Sequence, residues 1–388
     1  MTKSHAALDW LAGQGGAMET LLAEVVDIDS GSRDSAGVDT VRERFERFFA
    51  EHDIAADLAP TDGGACLAAR TGPASNGGHV LLLGHMDTVF PAGEAARRPF
   101  TVERRDGRRI GRGPGCADMK AGLVMNAFIL AAFRAAGGAP LPLVALYTRD
   151  EEIGSPSGRA VIETMADGAR ACFNAEPGRK SGNVVKARRG GTFYRATVTG
   201  RAAHAGGAPQ DGRSAIEEMA RKILAWHALS SENPDITVSV GIVSGGLAVN
   251  MVAPSCEAQI DLRFGDVATG ERLDAEIRAI AEACARDGLS GAVERMGGFL
   301  PVADEPRTQT LVNRYLSASR DLGHDTRAEA TRSCADSGFT ASLGVPTVCG
   351  AGPVGGDAHS PEEYVDLDSF VPRAQAVALT ILRLAERG

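Results

Sequence analysis

The sequence has no paired cysteines. Its seven cysteines are scattered along 388 residues, are odd in number and include no C-x-x-C spacing. A disulfide framework needs partners for its thiols, so this pattern is typical of a protein that keeps its cysteines reduced. We therefore expect a cytoplasmic protein in which the cysteines take no part in catalysis.

Long apolar runs are also missing. No run of 18 apolar residues occurs, and the N-terminal MTKSHAALDWLAGQGG lacks a continuous apolar stretch with a small-residue cleavage site. The sequence therefore predicts no membrane-spanning segment and no secretory leader. It contains no internal repeat and no long low-complexity linker either.

The chain as a whole has no excess of positive charge. Its formal net charge is −9, which argues against a general nucleic-acid or anionic-membrane partner. The local exception is the segment from Arg97 to Arg112, which holds seven arginines. Asp106-Gly107 lies between two short alternating runs and predicts a hairpin turn, so we expect a solvated β-ribbon. The alternative is a basic patch for an anionic partner.

The remaining composition is that of an ordinary globular protein, with 44% apolar and 23% charged residues. A chain of this length exceeds what one hydrophobic core usually serves, so we expect two domains. Helical and strand-like segments alternate along the first half, which predicts an α/β domain whose mixed sheet is covered by helices. The predicted helices span 17–28, 38–52, 121–136 and 156–166, and the predicted strands span 80–84, 141–148 and 170–174.

From about residue 187 the pattern changes to the order βαββαβ. The segments are FYRATVTG, SAIEEMARKILAWHALS, ITVSVGIV, EAQIDLRF, ERLDAEIRAIAEACARDG and GAVERM. This order is that of a ferredoxin-like unit. The α/β pattern then resumes and ends in an amphipathic helix. We therefore expect a domain over 187–296 that is inserted into a domain formed by 1–186 and 297–388.

The stretch LLLGHMDTVFP, residues 81–91, places a histidine and an aspartate at the end of an apolar strand. Side chains two apart in a strand point to the same side, so His85 and Asp87 can meet. A metal-binding histidine whose second ring nitrogen is held by a carboxylate has this arrangement. A solvated strand end is the alternative for an isolated H-x-D.

Four further stretches put acids or a histidine where an apolar element ends: GPGCADMKAG, TRDEEIGS, NAEPG and DAHSPEEYV. Simpler explanations exist for most of them. Asp118 precedes a predicted helix and would suit its cap, and the acids at 150–152 would complement a helix dipole. Residues 360–363 have the pattern of a helix start, which leaves His359 unexplained.

Together the stretches supply enough ligands for two metal ions. Two ions with three protein ligands each, one of them a shared carboxylate, need five residues and leave each ion a position for water. The adjacent acids Glu151 and Glu152 should point apart, so one can bind metal while the other serves as a base. The predicted ligands are His85, Asp118, Glu152, Glu176 and His359.

These motifs resemble those of the di-zinc aminoacylase/carboxypeptidase metallopeptidases, which include acetylornithine deacetylase, succinyl-diaminopimelate desuccinylase and bacterial glutamate carboxypeptidase. The resemblance covers nearly the whole chain, and GHMDTV and HAG are closest to the glutamate carboxypeptidase branch. Glutamate-selective members carry an extra arginine shortly after the inserted domain, where this chain reads Arg295-Met296-Gly297-Gly298-Phe299 and has no basic residue at Gly297. The matching stretches are GHMDTV, GPGCADMKAG, TRDEEIGS, NAEP, TGRAAHAG, GGLAVNMVAP and DAHSPEEYV.

The resemblance implies a role for each matching residue of the outer domain. One zinc ion would be held by His85, Asp118 and Glu176, and the other by Asp118, Glu152 and His359, with cobalt or manganese as possible substitutes. Asp87 would orient His85, and Glu151 would be the general base. The peptide bond between Asp118 and Met119 would be cis.

The inserted domain resembles the lid and dimerisation domain of that family. The resemblance implies a homodimer in which His204 reaches the site of the partner subunit, and in which Asn250 and Arg263 grip a substrate carboxylate. Without the resemblance, His204 is an exposed loop histidine and Arg263 a surface charge.

Three functions follow from these patterns. The first is a zinc-dependent hydrolase that releases a C-terminal amino acid from a peptide or an N-acyl amino acid with a free carboxylate. The second is a deacylase of the acetylornithine deacetylase or succinyl-diaminopimelate desuccinylase kind. The third is a non-catalytic metal-binding protein, against which Glu151 argues, because a binding protein needs no base beside a full set of ligands.

Overall fold

The computed structural model describes residues 3–72, 78–230 and 235–385, and the chain divides into two compact units. The first unit comprises Met1–Arg188 and Val302–Gly388, and the second comprises Arg189–Pro301. The sequence pattern places the ends of the insertion at 187 and 296. The later limit differs because the last strand of the second unit continues to Phe299.

The elements follow the chain in three blocks. The first block contains α1 (Lys3–Ala12), α2 (Gly15–Val26), α3 (Ser35–Glu51), β1 (Ala55–Thr61), β2 (Gly64–Thr71), β3 (His79–His85), α4 (Glu94–Arg97), β4 (Thr101–Arg105), β5 (Arg108–Arg112), α5 (Ala121–Ala135), β6 (Leu143–Thr148), α6 (Gly158–Ala166), β7 (Ala169–Asn174) and β8 (Val184–Arg188). The second unit contains β9 (Gly190–Thr199), α7 (Ala215–Ala228), β10 (Thr237–Gly245), β11 (Ser255–Phe264), α8 (Val267–Glu282) and β12 (Ser290–Phe299). The first unit is completed by α9 (Pro306–Asp321), β13 (Ala328–Thr331), α10 (Ser337–Ser342), β14 (Thr347–Val348), β15 (Gly355–Gly356), β16 (Tyr364–Asp366) and α11 (Phe370–Ala385).

The main sheet of the first unit has the strand order β1-β2-β6-β3-β7-β14. β6, β3, β7 and β14 run parallel, whereas β1 and β2 join them antiparallel. This mixed sheet with its helices confirms the predicted fold class. Because the register sets Thr148 opposite His85 and Asn174 opposite Leu83, the carboxyl ends of three neighbouring strands lie at one edge of the sheet.

Helix α5 lies in the core of this unit. Every residue from 121 to 133 is buried, so the helix has no polar face. The helical stretch Cys116–Ala135 has a mean hydropathy of 1.4 and the length to span a bilayer, yet 94% of its apolar window is buried inside the protein. The stretch contains no uninterrupted apolar run of 18 residues, because Asp118, Lys120 and Asn126 interrupt it. Its burial is that of a core helix.

The arginine-rich segment forms the predicted β-ribbon. β4 and β5 pair antiparallel around Asp106 and Gly107, whose φ angles of 52° and 81° are those of a tight hairpin turn. The ribbon continues through β16 to β15 in a sheet of order β15-β16-β5-β4. Several of its arginines are paired within the protein, including Arg108 with Asp366 at 2.8 Å.

The second unit is a four-stranded antiparallel sheet of order β10-β11-β9-β12 with helices α7 and α8. This topology confirms the predicted ferredoxin-like arrangement. Each helix has a side-chain cap, because Ser214 accepts the N–H of Glu217 and Asp266 accepts the N–H of Thr269. Trp226 is fully buried in the separate core of this unit.

The chain leaves and re-enters the first unit at neighbouring positions. Arg188 and Val302 exchange two backbone hydrogen bonds, each of 3.0 Å. Within the second unit, the first and last strands pair beside each other, with Gly191 opposite Phe299. The insertion therefore begins and ends at one point of the first unit.

Candidate metal centre

His85 ends β3 and is 1% exposed. Its Nδ1 lies 3.0 Å from the backbone oxygen of Asp87 and 3.3 Å from Asp87 Oδ1. Since a backbone oxygen only accepts, Nδ1 carries the proton. Nε2 is thereby left as a free electron-pair donor, which is the arrangement that metal-binding histidines use.

Asp87 contacts His85 and also accepts hydrogen bonds from three other residues. Its carboxylate accepts the backbone N–H groups of Glu151 and Glu152, both at 3.1 Å, and the hydroxyl of Ser32 at 2.6 Å. Asp87 is fully buried. It therefore ties the end of β3 to the turn that follows β6 and fixes the backbone of both adjacent acids.

Asp118 lies in the turn before α5, and the peptide bond between Asp118 and Met119 is cis, as the resemblance implies. The helix itself begins at Ala121 with Lys120 at its N-cap and no side-chain cap bond. Asp118 therefore does not cap this helix, which removes the simpler explanation of its position.

Glu363 determines the shape of that turn. Its carboxylate accepts three backbone N–H groups, from Gly115, Ala117 and Asp118, each at 2.9 Å. The prediction that residues 360–363 start a helix is wrong, because these residues form a turn that leads into β16. The Ser-Pro-Glu-Glu pattern is typical of a local helix start, whereas the buried Glu363 accepts hydrogen bonds from a loop that is distant in the sequence.

Asp118 belongs to two groups of possible metal ligands. Its Oδ1 lies 3.4 Å from His85 Nε2, and its Oδ2 lies 3.3 Å from His359 Nε2. Glu176 Oε1 lies 3.7 Å from His85 Nε2 on one side, and Glu152 Oε2 lies 3.2 Å from His359 Nε2 on the other. The ligand atoms of each group, His85-Asp118-Glu176 and Asp118-Glu152-His359, lie within 4.8 Å of one another.

The two adjacent acids of the turn point to different neighbours. Glu152 contacts His359, whereas Glu151 Oε2 lies 3.8 Å from His85 Nε2 and belongs to neither group. Glu151 is 7% exposed. One acid thus lies with the ligands while the other lies beside them.

Burial and contacts within the cluster shift the pKa values of its members. Burial raises the pKa of Glu151 well above its usual range and raises that of Glu152 to about 7. Contacts with Asp118 and Glu152 raise the pKa of His359 to about 10. Burial by itself would raise the pKa of Asp118, but the contacts of this carboxylate with His359 and His85 outweigh burial and lower the pKa well below its usual range. Buried acids gathered in this way are stabilised by positive charge.

Arg188 lies next to the carboxylate of Glu176. The guanidinium lies 3.9 Å from Glu176 Oε2 and donates to the backbone oxygen of Cys334 at 3.0 Å and to Cys349 Sγ at 3.0 Å. Arg188 is 7% exposed. Arg188 therefore places a buried positive charge beside a predicted ligand, and it belongs to neither group.

The remaining predicted residues lie in the second unit. His204 is exposed, and its Nδ1 accepts the N–H groups of Gly206 and Gly207 at 3.2 and 3.0 Å. Because Nδ1 accepts, neutral His204 presents Nε2–H as a donor. Asn250 lies beside it, since the N–H of Ala205 donates to the backbone oxygen of Asn250 at 2.9 Å.

Arg263 lies apart from this pair, near the end of β11. It forms an ion pair of 2.7 Å with Asp261, and its guanidinium lies 5.3 Å from the centre of the Phe193 ring. The side chain is 25% exposed.

The motifs do not indicate every residue that shapes the centre. Ser32, Arg188, Asp336 and Glu363 have no metal-ligand spacing, and each acts through a contact with a residue far away in sequence. Asp336 accepts the hydroxyl of Thr148 at 3.0 Å and that of Ser155. The only sequence signal for this set is the acid at 363, three residues after a turn-forming serine.

Comparison with known proteins agrees with these motifs. The sequence pattern of Peptidase family M20/M25/M40 matches residues 81–383. Acetylornithine deacetylase of Edwardsiella ictaluri is 29% identical over 327 residues, which cover 80% of this chain and 81% of that protein. Carboxypeptidase G2 of Pseudomonas sp. is 28% identical over 318 residues, which cover 79% of this chain and 74% of that protein.

Solved structures share the fold. An M20 family metallo-carboxypeptidase from Sulfolobus solfataricus superimposes with a TM-score of 0.74 at 17% identity, covering 95% of this chain and 99% of that one. The di-peptidase Dug1p from Saccharomyces cerevisiae gives 0.74 at 16% identity and covers 100% and 99%. At these identities the similarity concerns the fold.

Proposed function

This chain belongs to Peptidase family M20/M25/M40, and from that premise we propose that it is a zinc-dependent hydrolase that releases a C-terminal amino acid from a peptide or N-acyl amino acid. The relatives named deacetylase and carboxypeptidase indicate a hydrolase that acts on amide bonds, and metallopeptidases of this family depend on metal. The proposal adds the metal, its number and the end of the substrate that is released.

The observation that carries the proposal is the position of Asp118. One carboxylate oxygen lies with His85 and Glu176, and the other lies with Glu152 and His359. A carboxylate shared in this way is what two metal ions require of a bridging ligand. Nitrogen and carboxylate oxygen are donors that zinc accepts, and cobalt or manganese would accept the same set.

Two buried atoms support a cation at each position. His85 Nε2 and Glu152 Oε1 are both buried, and neither has a hydrogen-bond partner among the residues that the structure describes. A buried polar atom without a partner is energetically unfavourable. The two atoms belong to different ligand groups, so a cation in each group would satisfy both.

The chain's own residues provide the remaining chemistry. The ions, when bound, would acidify water and polarise the amide carbonyl. Glu151 accepts a proton from the attacking water while the water oxygen bonds to the carbonyl carbon. Glu151 then returns a proton to the amide nitrogen as the C–N bond breaks. His204 donates from Nε2 to the developing oxyanion. Arg263 binds the carboxylate of the released amino acid, and Asn250 reaches the same carboxylate from the partner subunit, because within one chain the two residues lie at opposite ends of β10 and β11.

We further propose a homodimer formed through the second unit. β10 is one of the two edge strands of its sheet, and Ile242 and Val243 on it are each 57% exposed. Leu247 and Val249, in the loop that follows, are also largely exposed. An edge strand with exposed apolar side chains favours association with a second copy.

A deacylase remains the second candidate, because a deacetylase and a carboxypeptidase match this chain at nearly the same identity. A panel of substrates separates the two. Zinc-loaded protein is incubated with dipeptides and N-acyl amino acids in which the acyl group and the C-terminal residue vary separately. Turnover that depends on a free C-terminal carboxylate and tolerates many acyl groups supports the carboxypeptidase. Turnover restricted to substrates that carry an acetyl or succinyl group supports the deacylase. If no substrate of the panel is hydrolysed, both functions are contradicted.

A further inference from the structure

A cavity of about 520 Å³ opens beside the candidate metal centre, within the first unit. Three segments line it: residues 31–34 before α3, residues 88–92 after β3, and residues 152–153. Its volume lies in the range of small-molecule sites. Since Glu152 is both a predicted metal ligand and part of the lining, a molecule in this cavity lies next to the reacting groups.

The walls of the cavity are held together by backbone hydrogen bonds. The N–H of Thr88 donates to the oxygen of Ser30 at 2.8 Å, and that of Ser32 donates to the oxygen of Thr88 at 3.2 Å. Asp29 accepts the N–H groups of Gly93 and Ala95 at 2.6 and 2.8 Å. The two loops therefore form one structure rather than two independent flaps.

The same structure is connected to the acids of the centre. Ser32 lines the cavity, and its hydroxyl donates to Asp87, whose carboxylate also accepts the N–H groups of Glu151 and Glu152. The cavity wall is thus joined through Asp87 to the backbone of the proposed base.

The lining combines an apolar wall with one unpaired cation. Val89, Phe90, Pro91, Ala92 and Ile153 supply the wall. Arg33 is exposed and makes no ion pair or hydrogen bond with any residue in the parts of the chain that the structure describes. Asp34, the acid next to it, is engaged in capping α3 through Gly37. A guanidinium beside an apolar wall fits a ligand with an apolar body and a carboxylate.

We propose that this cavity receives the acyl part of the substrate and that Arg33 selects acyl groups that end in a carboxylate. The inference rests on the proposed function, in which Asn250 and Arg263 bind the carboxylate of the released amino acid. The acyl side then has no assigned contact. Arg33 contributes specificity and takes no part in bond cleavage.

The test compares pairs of substrates that differ only at the far end of the acyl group. N-(4-carboxybenzoyl)-leucine and N-benzoyl-leucine have the same apolar body, and the corresponding glutamates vary the released residue. Wild type should favour the carboxybenzoyl substrates in kcat/KM by roughly 10-fold or more, the size expected of one charge-assisted hydrogen bond. Arg33→Ala should remove this preference by lowering kcat/KM for the carboxybenzoyl substrates to the value for the benzoyl substrates. Arg33→Glu should reverse it in favour of a 4-(aminomethyl)benzoyl group.

Arg97→Ala is the matched control, because Arg97 is an exposed arginine that follows the lining segment 88–92 in the chain but does not line the cavity. It should retain the wild-type preference. An Arg33→Ala protein with an unchanged preference would overturn the proposal. A uniform loss on all substrates would also overturn it, as would a loss that follows the released residue rather than the acyl group.

Binding separates failure of this inference from failure of the proposed function. Calorimetry on metal-loaded Glu151→Gln protein should show tighter binding of N-(4-carboxybenzoyl)-leucine than of N-benzoyl-leucine, and the additional change Arg33→Ala should abolish the difference. If no substrate is hydrolysed but this difference is present, the proposed function fails and the acyl subsite stands. If hydrolysis occurs but the two ligands bind equally well, the acyl subsite fails and the proposed function stands.

Discussion

Glu363 accepts a hydrogen bond from the backbone N–H of Asp118 at 2.9 Å, although the two residues are far apart in the sequence. The same carboxylate holds the N–H groups of Gly115 and Ala117. The turn that presents Asp118 therefore depends on an acid that is itself no ligand.

We expect Glu363→Gln to destabilise the protein by about 2 kcal/mol, because one amide oxygen cannot replace two carboxylate oxygens toward three buried N–H groups. Urea titration of chelator-treated protein measures this effect apart from metal loss. Glu362→Gln is the control, since Glu362 is exposed and adjacent. Equal stability of the two variants would contradict the assigned role of Glu363.

We expect Glu151→Gln to lower kcat by a factor on the order of 10²–10⁴, with normal metal content, because the change removes a base and not a ligand. Glu152→Gln should lose metal as well as activity. Metal analysis and steady-state kinetics on both variants test the assignment. Metal loss in Glu151→Gln but not in Glu152→Gln would show that the two roles are reversed.

We expect about two zinc ions per chain, with activity lost in a chelator and restored by zinc, because the two ligand groups share Asp118. His359→Ala should retain roughly one ion, since the group of His85, Asp118 and Glu176 stays complete. Elemental analysis of dialysed protein provides the count. Full activity with a single tightly held ion would contradict the two-metal proposal.

We expect His204 to act on the site of the partner subunit, and two inactive variants should then complement each other. His204→Ala keeps its own metal ligands and base, whereas Glu151→Gln keeps the histidine. After free exchange of equal amounts, half of the dimers are mixed and each has one complete site, so activity should recover to roughly a quarter of wild type. If both variants are folded and exchange subunits but the mixture stays inactive, His204 does not act in trans.

Three of the predicted ligands could be found from sequence because each lies at or just after the end of a buried strand, whereas Asp118 and His359 lie in turns. Parallel strands deliver their carboxyl ends to one edge, so His85, Glu152 and Glu176 meet once the strands pair. The same reasoning recovers the βαββαβ order of the second unit, whose strands alternate clearly between apolar and polar residues.

Residues that act through distant contacts could not be found in this way. Residues 360–363 satisfy a local helix pattern, yet the tertiary contact of Glu363 with the Gly115–Asp118 turn decides their conformation. In the sequence, Arg188 is a single charged residue in a strand, and only the fold shows that it lies next to Cys349 and Glu176. β1 is missed for another reason, since its partly exposed side chains give no periodic apolar signal.

The pairing of Arg188 with Val302 bears on the order in which the chain folds. Joining two segments of the first unit across about a hundred intervening residues carries a loop-closure entropy penalty. The second unit has its own core, and its first and last strands are neighbours. If the second unit folds first, the contacts in its own core offset the entropy lost on closing this loop. The two parts of the first unit are then already adjacent when His359 comes into contact with Asp118. We therefore expect the insertion to promote folding of the unit that contains it.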